Sequence, residues 1–192
     1  MLVDRCNRGE EAATRELFRS YHKRVHGTLY RILGSSRDID DLTQDSFIQV
    51  FKSLPTFRAE AKLATWIDRI TVRVAYRHIA KQKKLPLPDD TLDEEPSMRP
   101  GPGHQAESRE AVRRLYAALS KLPAASRIAF ALHEIDGRSV SEVAALVGAS
   151  KTACKLRIWR ARRTLFTLAS TDPILAELLD ANAHDPTEGS PS

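Results

Sequence analysis

The sequence predicts an all-α fold: two small helical domains joined by a linker. Three observations carry this. Apolar residues recur three and four apart through most of the chain, the spacing of one helix face. A Pro- and Gly-rich acidic stretch interrupts that pattern at 85–106 and holds five of the ten prolines (Pro86, Pro88, Pro96, Pro100, Pro102). Near the C-terminus, Ser139–Leu165 reads as a capped short helix, a glycine turn and a second, strongly basic helix.

The first helix runs from Glu10 to Leu33, with Leu17, Tyr21, Val25, Leu29 and Ile32 at helical spacing. Gly34-Ser35-Ser36 makes a turn. The next helix spans Asp38 to Leu54 and turns Ile39, Leu42, Phe47, Val50 and Phe51 inward. Its first turn holds Asp38, Asp40 and Asp41, which suits the positive end of the helix dipole, and Pro55 stops it. A loop from Thr56 to about Ala61 leads to a third helix, Leu63 to Lys84, with Leu63, Ile67, Ile70 and Val74 on one face. Arg69, Arg73, Arg77, Lys81 and Lys84 form a second stripe on it. The linker follows, extended by composition. The second helical block begins near Glu107. Val112, Leu115, Leu119 and Leu122 form one amphipathic helix, ended by Pro123. Ile128, Leu132 and Ile135 form another, ended by Asp136-Gly137.

Ser139 and Glu142 form a capping box for the next helix, whose apolar face is Val143, Leu146 and Val147. Gly148 supplies the tight turn because it takes φ > 0 without steric cost. Ser150 caps the last long helix. On it Cys154, Ile158, Ala161 and Leu165 share the inward side. Thr152, Leu156, Trp159, Arg160 and Arg163 face the other way, with Lys155 on the flank. Two readings fit that outward face: a merely basic solvated surface, or a helix that enters a DNA groove. A short helix from Ile174 to Leu179 and a disordered tail complete the chain.

Composition sets bounds. The chain has 192 residues, 42% of them hydrophobic and 29% charged, with net charge +5. That is ordinary for a globular protein. The charge is unevenly placed. Residues 69–84 are basic without an acid, 85–110 are mainly acidic, and no Lys or Arg follows Arg163. Two basic patches apart in sequence point to two contacts with a polyanion. Cys6 and Cys154 make neither a disulfide framework nor a metal pair, which fits a reducing compartment. No apolar run reaches the ~20 residues that span a bilayer, and the N-terminus lacks a signal-peptide core. His22 and His26 sit one turn apart, but no third metal ligand accompanies them. No phosphate loop or nucleophile elbow occurs, so no cofactor, metal or catalytic residue is assigned.

The stretch 38–84 contains DIDDLTQDSFIQVFKSLPTFRAEAKLATWIDRI followed by TVRVAYRHIAKQKK. It resembles region 2 of sigma factors, the promoter-specificity subunits of bacterial RNA polymerase. Residues 119–165, with LSKLP, SVSEVAALVGAS and RARRTL, resemble region 4. The pair in this order, with nothing between them but a linker, is similar to the extracytoplasmic function (ECF) group. The resemblance implies a region 2-like domain at 1–84, a linker at 85–106, a region 4-like domain at 107–170 and an extension at 171–192. It implies core RNA polymerase and promoter DNA as partners, and an anti-sigma factor that often sits in a membrane. The chain itself is expected in the cytoplasm, at the nucleoid when active.

Residue by residue, the resemblance places polymerase docking on Asp38, Asp41, Gln44 and Asp45, at positions that share one helix face. A solvated polar face is the alternative. Contacts to the −10 element fall on Arg58, Lys62, Thr65, Trp66, Arg69, Arg73, Arg77 and Lys81. Phe57 and Trp66 have a second reading, as core aromatics. Contacts to the −35 element fall on Ser150, Lys151, Thr152, Lys155, Leu156, Trp159, Arg160 and Arg163. Two residues depart from the family pattern. Arg73 stands where Asn is frequent, and Leu156 replaces a small polar residue. The rival functions are a helix-turn-helix regulator that does not touch polymerase and a DNA-processing enzyme.

Overall fold

The computed structural model describes residues 2–34, 38–82 and 104–183, with side chains left aside at 104–108 and 180–183. Every regular element among them is helical: α1 (Leu2–Asn7), α2 (Glu11–Leu33), α3 (Ile39–Ser53), α4 (Leu63–Gln82), α5 (His104–Lys121), α6 (Ala124–Phe130), α7 (Val140–Val147), α8 (Lys151–Ala169) and α9 (Pro173–Ala183). A 3₁₀ turn, Leu54–Thr56, finishes α3 at Pro55, and a π-helical turn, Ala131–Ile135, prolongs α6.

The periodic segments are helices where the apolar spacing places them. α1 is additional; its Leu2, Val3 and Cys6 pack against the core from one side. α5 begins at His104, three residues ahead of the expected start, and α9 is longer than Ile174–Leu179. The rest of the expected linker, and the tail beyond Ala183, lie outside the described residues.

α2, α3 and α4 pack around Leu17, Val25, Leu29, Ile32, Leu42, Phe47, Val50, Ile67 and Val74, all buried. The same apolar cluster continues without a break into the second half through Ile128, Leu132, Val143, Leu146 and Ile158. A second cluster joins α5, α6, α8 and α9 through Leu119, Leu122, Phe130, Leu165 and Leu175. Fully burying one such aliphatic side chain stabilises the fold by about 1.5–3 kcal/mol, so the shared cluster binds the halves to each other.

The C-terminus of α2 shows how. A helix leaves its last four carbonyls without intrahelical donors. Here Tyr30 O accepts from Gly34 N at 2.7 Å, and Arg31 O accepts from Tyr116 Oη at 3.0 Å. Arg127 Nε and Nη2 donate to Ile32 O at 3.0 Å and Leu33 O at 3.1 Å. Arg127 is only 6% exposed, and burial pulls its guanidinium below the ordinary arginine range, partly countered by Tyr116. Burial also pushes the Tyr116 phenol up to about 12. Three of the four carbonyls at the end of α2, in the first half, are therefore satisfied by the second half.

Candidate nucleic-acid interface

The helix-turn-helix is built as its sequence requires. Ser139 Oγ accepts from Glu142 N at 3.2 Å, and Glu142 Oε2 accepts from Ser139 N at 2.9 Å, closing the capping box. Ser139 Oγ also donates to Glu142 Oε2 at 2.8 Å, and this bond, with the one from Ser139 N, holds the Glu142 carboxyl below its usual range. Gly148 ends α7 in the left-handed region (φ 65°, ψ 42°) and donates to Ala144 O. A residue with a Cβ there would be strained. Ser150 Oγ then accepts from Ala153 N at 3.1 Å and starts α8.

α8 presents two faces. Cys154, Ile158, Ala161 and Leu165 are buried. Burial raises the Cys154 thiol, so it is packing material and not a nucleophile. Ser150, Lys151, Thr152, Lys155, Arg160 and Arg163 are exposed, as are Leu156 at 44% and Trp159 at 54%. Arg163 Cζ lies 5.5 Å from the Trp159 ring centroid, a cation–π contact that steadies both on the open face. Arg162, by contrast, is paired with Glu134 at 2.6 Å. An exposed Trp framed by cations, on a helix whose other side is anchored, is the shape of a groove-reading helix.

In the first half, Arg73, Arg77 and Lys81 form an exposed stripe along α4. Exposed Tyr76 lies among them, an aromatic that charge counting passed over. Arg69 differs from its neighbours: it is half-buried, and its Nε donates to Ala145 O of α7 at 3.0 Å. In the loop before α4, Arg58 and Lys62 are exposed, and Thr65 in the first turn of α4 is half-buried. Phe57 and Trp66 are half-buried with ring centroids 5.2 Å apart, and Trp66 packs on the core edge. That tilted pair closes the loop onto α4.

On α3, Asp41, Gln44 and Asp45 are exposed on one side, with Leu42, Ser46 and Phe47 buried on the other. Asp38 precedes them, half-buried, with an oxygen 3.4 Å from His78 Nε2. Burial lowers the His78 pKa, opposed by Asp38 and assisted by Arg127 and Lys81. His22 and His26 stack at 6.0 Å, but no group of three metal-ligating side chains occurs among the described residues. No helix among them is long and apolar enough to cross a membrane.

The residues that sequence reading missed lie between the halves. Asp68 of α4 is 1% exposed. It receives Arg24 Nε at 2.8 Å and Arg24 Nη2 at 2.7 Å from α2, and Arg138 Nη1 at 2.9 Å from the loop before α7. One signal was available: Asp68 shares the inward face of α4 with Thr71, Val72, Ala75 and Ile79, and an acid on a buried face needs a partner.

The family model for sigma-70 region 2 matches residues 17–85, and that for sigma-70 region 4 matches 112–165. The ECF RNA polymerase sigma-E factor of Haemophilus influenzae is 30% identical over 173 residues, covering 85% of this chain and 91% of the relative. The sigma-E factor of Escherichia coli K12 is 29% identical over 175 residues, covering 86% and 91%. Among solved structures, CnrH in complex with the cytosolic domain of CnrY aligns over 94% of this chain and 96% of its own, with TM-score 0.59 and 24% identity. The sigma factor RpoE of Bartonella quintana, in complex with the anti-sigma factor NepR, aligns over 82% and 97%, with TM-score 0.55 and 19% identity. Two region models in order and a relative matched over most of both chains leave one assignment: this chain belongs to the sigma-70 family of RNA polymerase sigma factors, in the ECF group.

Proposed function

We propose that this chain binds core RNA polymerase, directs it to particular promoters and assists their opening. The observation that carries the reading is the pair of separate cationic faces, the α4 stripe and the outer face of α8, on a chain that also bears an exposed acidic face on α3. In this reading α8 enters the major groove of the −35 element. Lys155 and Arg160 reach base edges, Trp159 and Leu156 supply apolar contact, and Ser150, Lys151, Thr152 and Arg163 hold the phosphates. Arg58, Lys62, Thr65 and Trp66 meet the opened −10 strand. Base stacking and a basic groove return about 1–3 kcal/mol per base, against a few kcal/mol for each unstacked step. Arg69, Arg73, Arg77 and Lys81 hold the duplex beside it.

Asp38, Asp41, Gln44 and Asp45 dock on the polymerase, where carboxylates suit an arginine-rich surface through charge-assisted hydrogen bonds. Polymerisation chemistry then belongs to the polymerase. The complex of the Bartonella RpoE with the anti-sigma factor NepR supports an anti-sigma factor as a further partner, and in this reading the chain itself works in the cytoplasm.

The decisive variant is Asp41→Lys with Asp45→Lys. Both residues are exposed, and such substitutions usually cost within about 0.5 kcal/mol of stability, slightly more near a helix N-terminus. Against a cationic partner the same change costs several kcal/mol. The double variant is expected to keep its helical circular dichroism and to stop co-eluting with core polymerase in gel filtration. A folded variant that still forms holoenzyme removes the docking assignment. A wild-type chain that never binds core enzyme but still binds DNA leaves a helix-turn-helix regulator.

A further inference from the structure

Where the two halves meet, arginines are for the most part engaged. Arg138 is bound to Asp68, Arg31 to Asp136, and Arg127 to the carbonyls of Ile32 and Leu33. A cleft of about 580 Å³ is the exception. It is lined by α4 on one side and by α6, α7 and α8 on the other, and every charged residue on its wall is an arginine: Arg69, Arg73 and Arg157. Arg73 is exposed and Arg157 half-buried, and neither has an acidic partner among the described residues. Arg69 gives its Nε to Ala145 O at 3.0 Å. That bond fixes the guanidinium and leaves its two terminal nitrogens without a partner among the described residues.

The rest of the wall is largely apolar. Val72, Ile128 and Leu146 are buried members of the cluster shared by the halves, so the floor of the cleft is part of the core. Tyr76 lines the cleft too, 48% exposed and with no hydrogen bond or ring contact among the described residues. Arg69, Arg73 and Tyr76 follow at i, i+4 and i+7 on α4, so they stand one helical turn apart on one face. Arg157 reaches the same cleft from α8.

These features ask for one kind of ligand. Cations gathered without an anion repel one another, and low-dielectric walls focus their field into the cleft. Guanidinium forks match phosphate oxygens two at a time. An open tyrosine ring is a stacking platform for a base. The cleft has the size of small-molecule sites, about 300–1,000 Å³, which join an apolar wall to a few polar groups. A bare anion would leave Tyr76 and the apolar floor idle. An apolar ligand would leave the arginines unanswered.

We propose that this cleft binds a nucleotide carrying two or more phosphates, the phosphates on Arg69, Arg73 and Arg157 and the base against Tyr76. Such a site lies outside promoter recognition and does not rest on it. Phosphate is also what a duplex offers Arg69 and Arg73 in the reading given above, so free nucleotide and polymer have to be told apart.

Calorimetry on the full chain, without magnesium or DNA, does so. ATP, GTP, CTP and UTP are titrated in turn, then the nucleosides and tripolyphosphate. At least one triphosphate should bind one-to-one, its nucleoside not measurably, and tripolyphosphate roughly fivefold or more weaker. Arg157→Gln should weaken the triphosphate roughly tenfold or more, and Tyr76→Ala roughly fivefold or more. Arg19→Gln removes the same charge from an exposed position on α2 outside the cleft and should change affinity by less than about twofold. Should Arg157→Gln not fold by circular dichroism, Tyr76→Ala carries the test at a more exposed position. A chain that binds duplex but none of the four triphosphates overturns the site and leaves these arginines to polymer phosphate. Equal losses in Arg19→Gln and Arg157→Gln overturn it too, because net charge alone would then account for binding. Tripolyphosphate bound as tightly as the triphosphate, with no effect of Tyr76→Ala, overturns the seat for the base. None of these readouts involves polymerase, so failure of the sigma-factor reading would show separately, as lost holoenzyme formation.

Discussion

Single residues set the tolerances of this fold. Gly34 has φ 75° and ψ −158°, a combination that L-residues scarcely enter, and a Cβ built on it would lie 2.6 Å from the Tyr116 ring. Backbone strain and overlap each cost about 1–3 kcal/mol. Gly34→Ala should therefore lose at least about 2 kcal/mol, read as a lower urea midpoint. Adding Tyr116→Ala should relieve the overlap and not the strain, so the double variant should be more stable than the sum of the two single losses allows. Additive losses would mean that the ring and the turn do not press on each other.

At the scale of elements, α4 and α8 are both basic but should fail differently. An α8 side chain with a two-pronged base contact discriminates one base pair, whereas an α4 side chain on phosphate reads no sequence. Arg160→Ala should cost about 1–3 kcal/mol on the cognate promoter and relax preference at one −35 position. Arg77→Ala should weaken binding to all sequences and flatten the salt dependence by about one phosphate contact. Transcription assays over a −35 substitution set would separate the two, and wild-type transcription from Arg160→Ala would remove that residue from the recognition face.

These elements were legible because each repeats a local rule. α2, α3 and α4 carry an apolar residue every third or fourth position, and the helix-turn-helix carries Ser139, Glu142, Gly148 and Ser150 at fixed offsets. The outward face of α8 followed from its inward one. α1 was not legible: six residues hold too few periods for a pattern, and the core selects Leu2, Val3 and Cys6 from outside. The π-helical turn was hidden as well. Its defining bond, Asp136 N to Ala131 O at 2.9 Å, looks like ordinary helix in the spacing of Ile128, Leu132 and Ile135. The Asp68 cluster escaped for another reason. Its partners lie 44 and 70 positions away, and no periodicity reports on pairs so distant.

For the whole molecule, the shared apolar cluster implies that the halves unfold together. The chain has two tryptophans, Trp66 in the first half and Trp159 in the second. Two variants, Trp159→Phe and Trp66→Phe, each leave one reporter. A cooperative transition gives the same midpoint by different probes, so the two proteins should show coincident fluorescence and circular dichroism curves in urea after correction for each substitution's own cost. Midpoints separated by more than that correction would mean that the halves are independent units in contact.

The end of α2 has a consequence in time. Synthesis proceeds from the N-terminus at about 5–20 residues per second. Gly34 therefore leaves the ribosome roughly five to twenty seconds before Arg127, the residue that donates to Ile32 O and Leu33 O. For that interval the nascent first half has water on those carbonyls, no Arg138 beside Asp68, and nothing over the Arg69 end of α4. A newborn chain thus displays to the cell a surface that the finished chain keeps against itself. Whatever competes for that surface has its earliest opportunity on the ribosome.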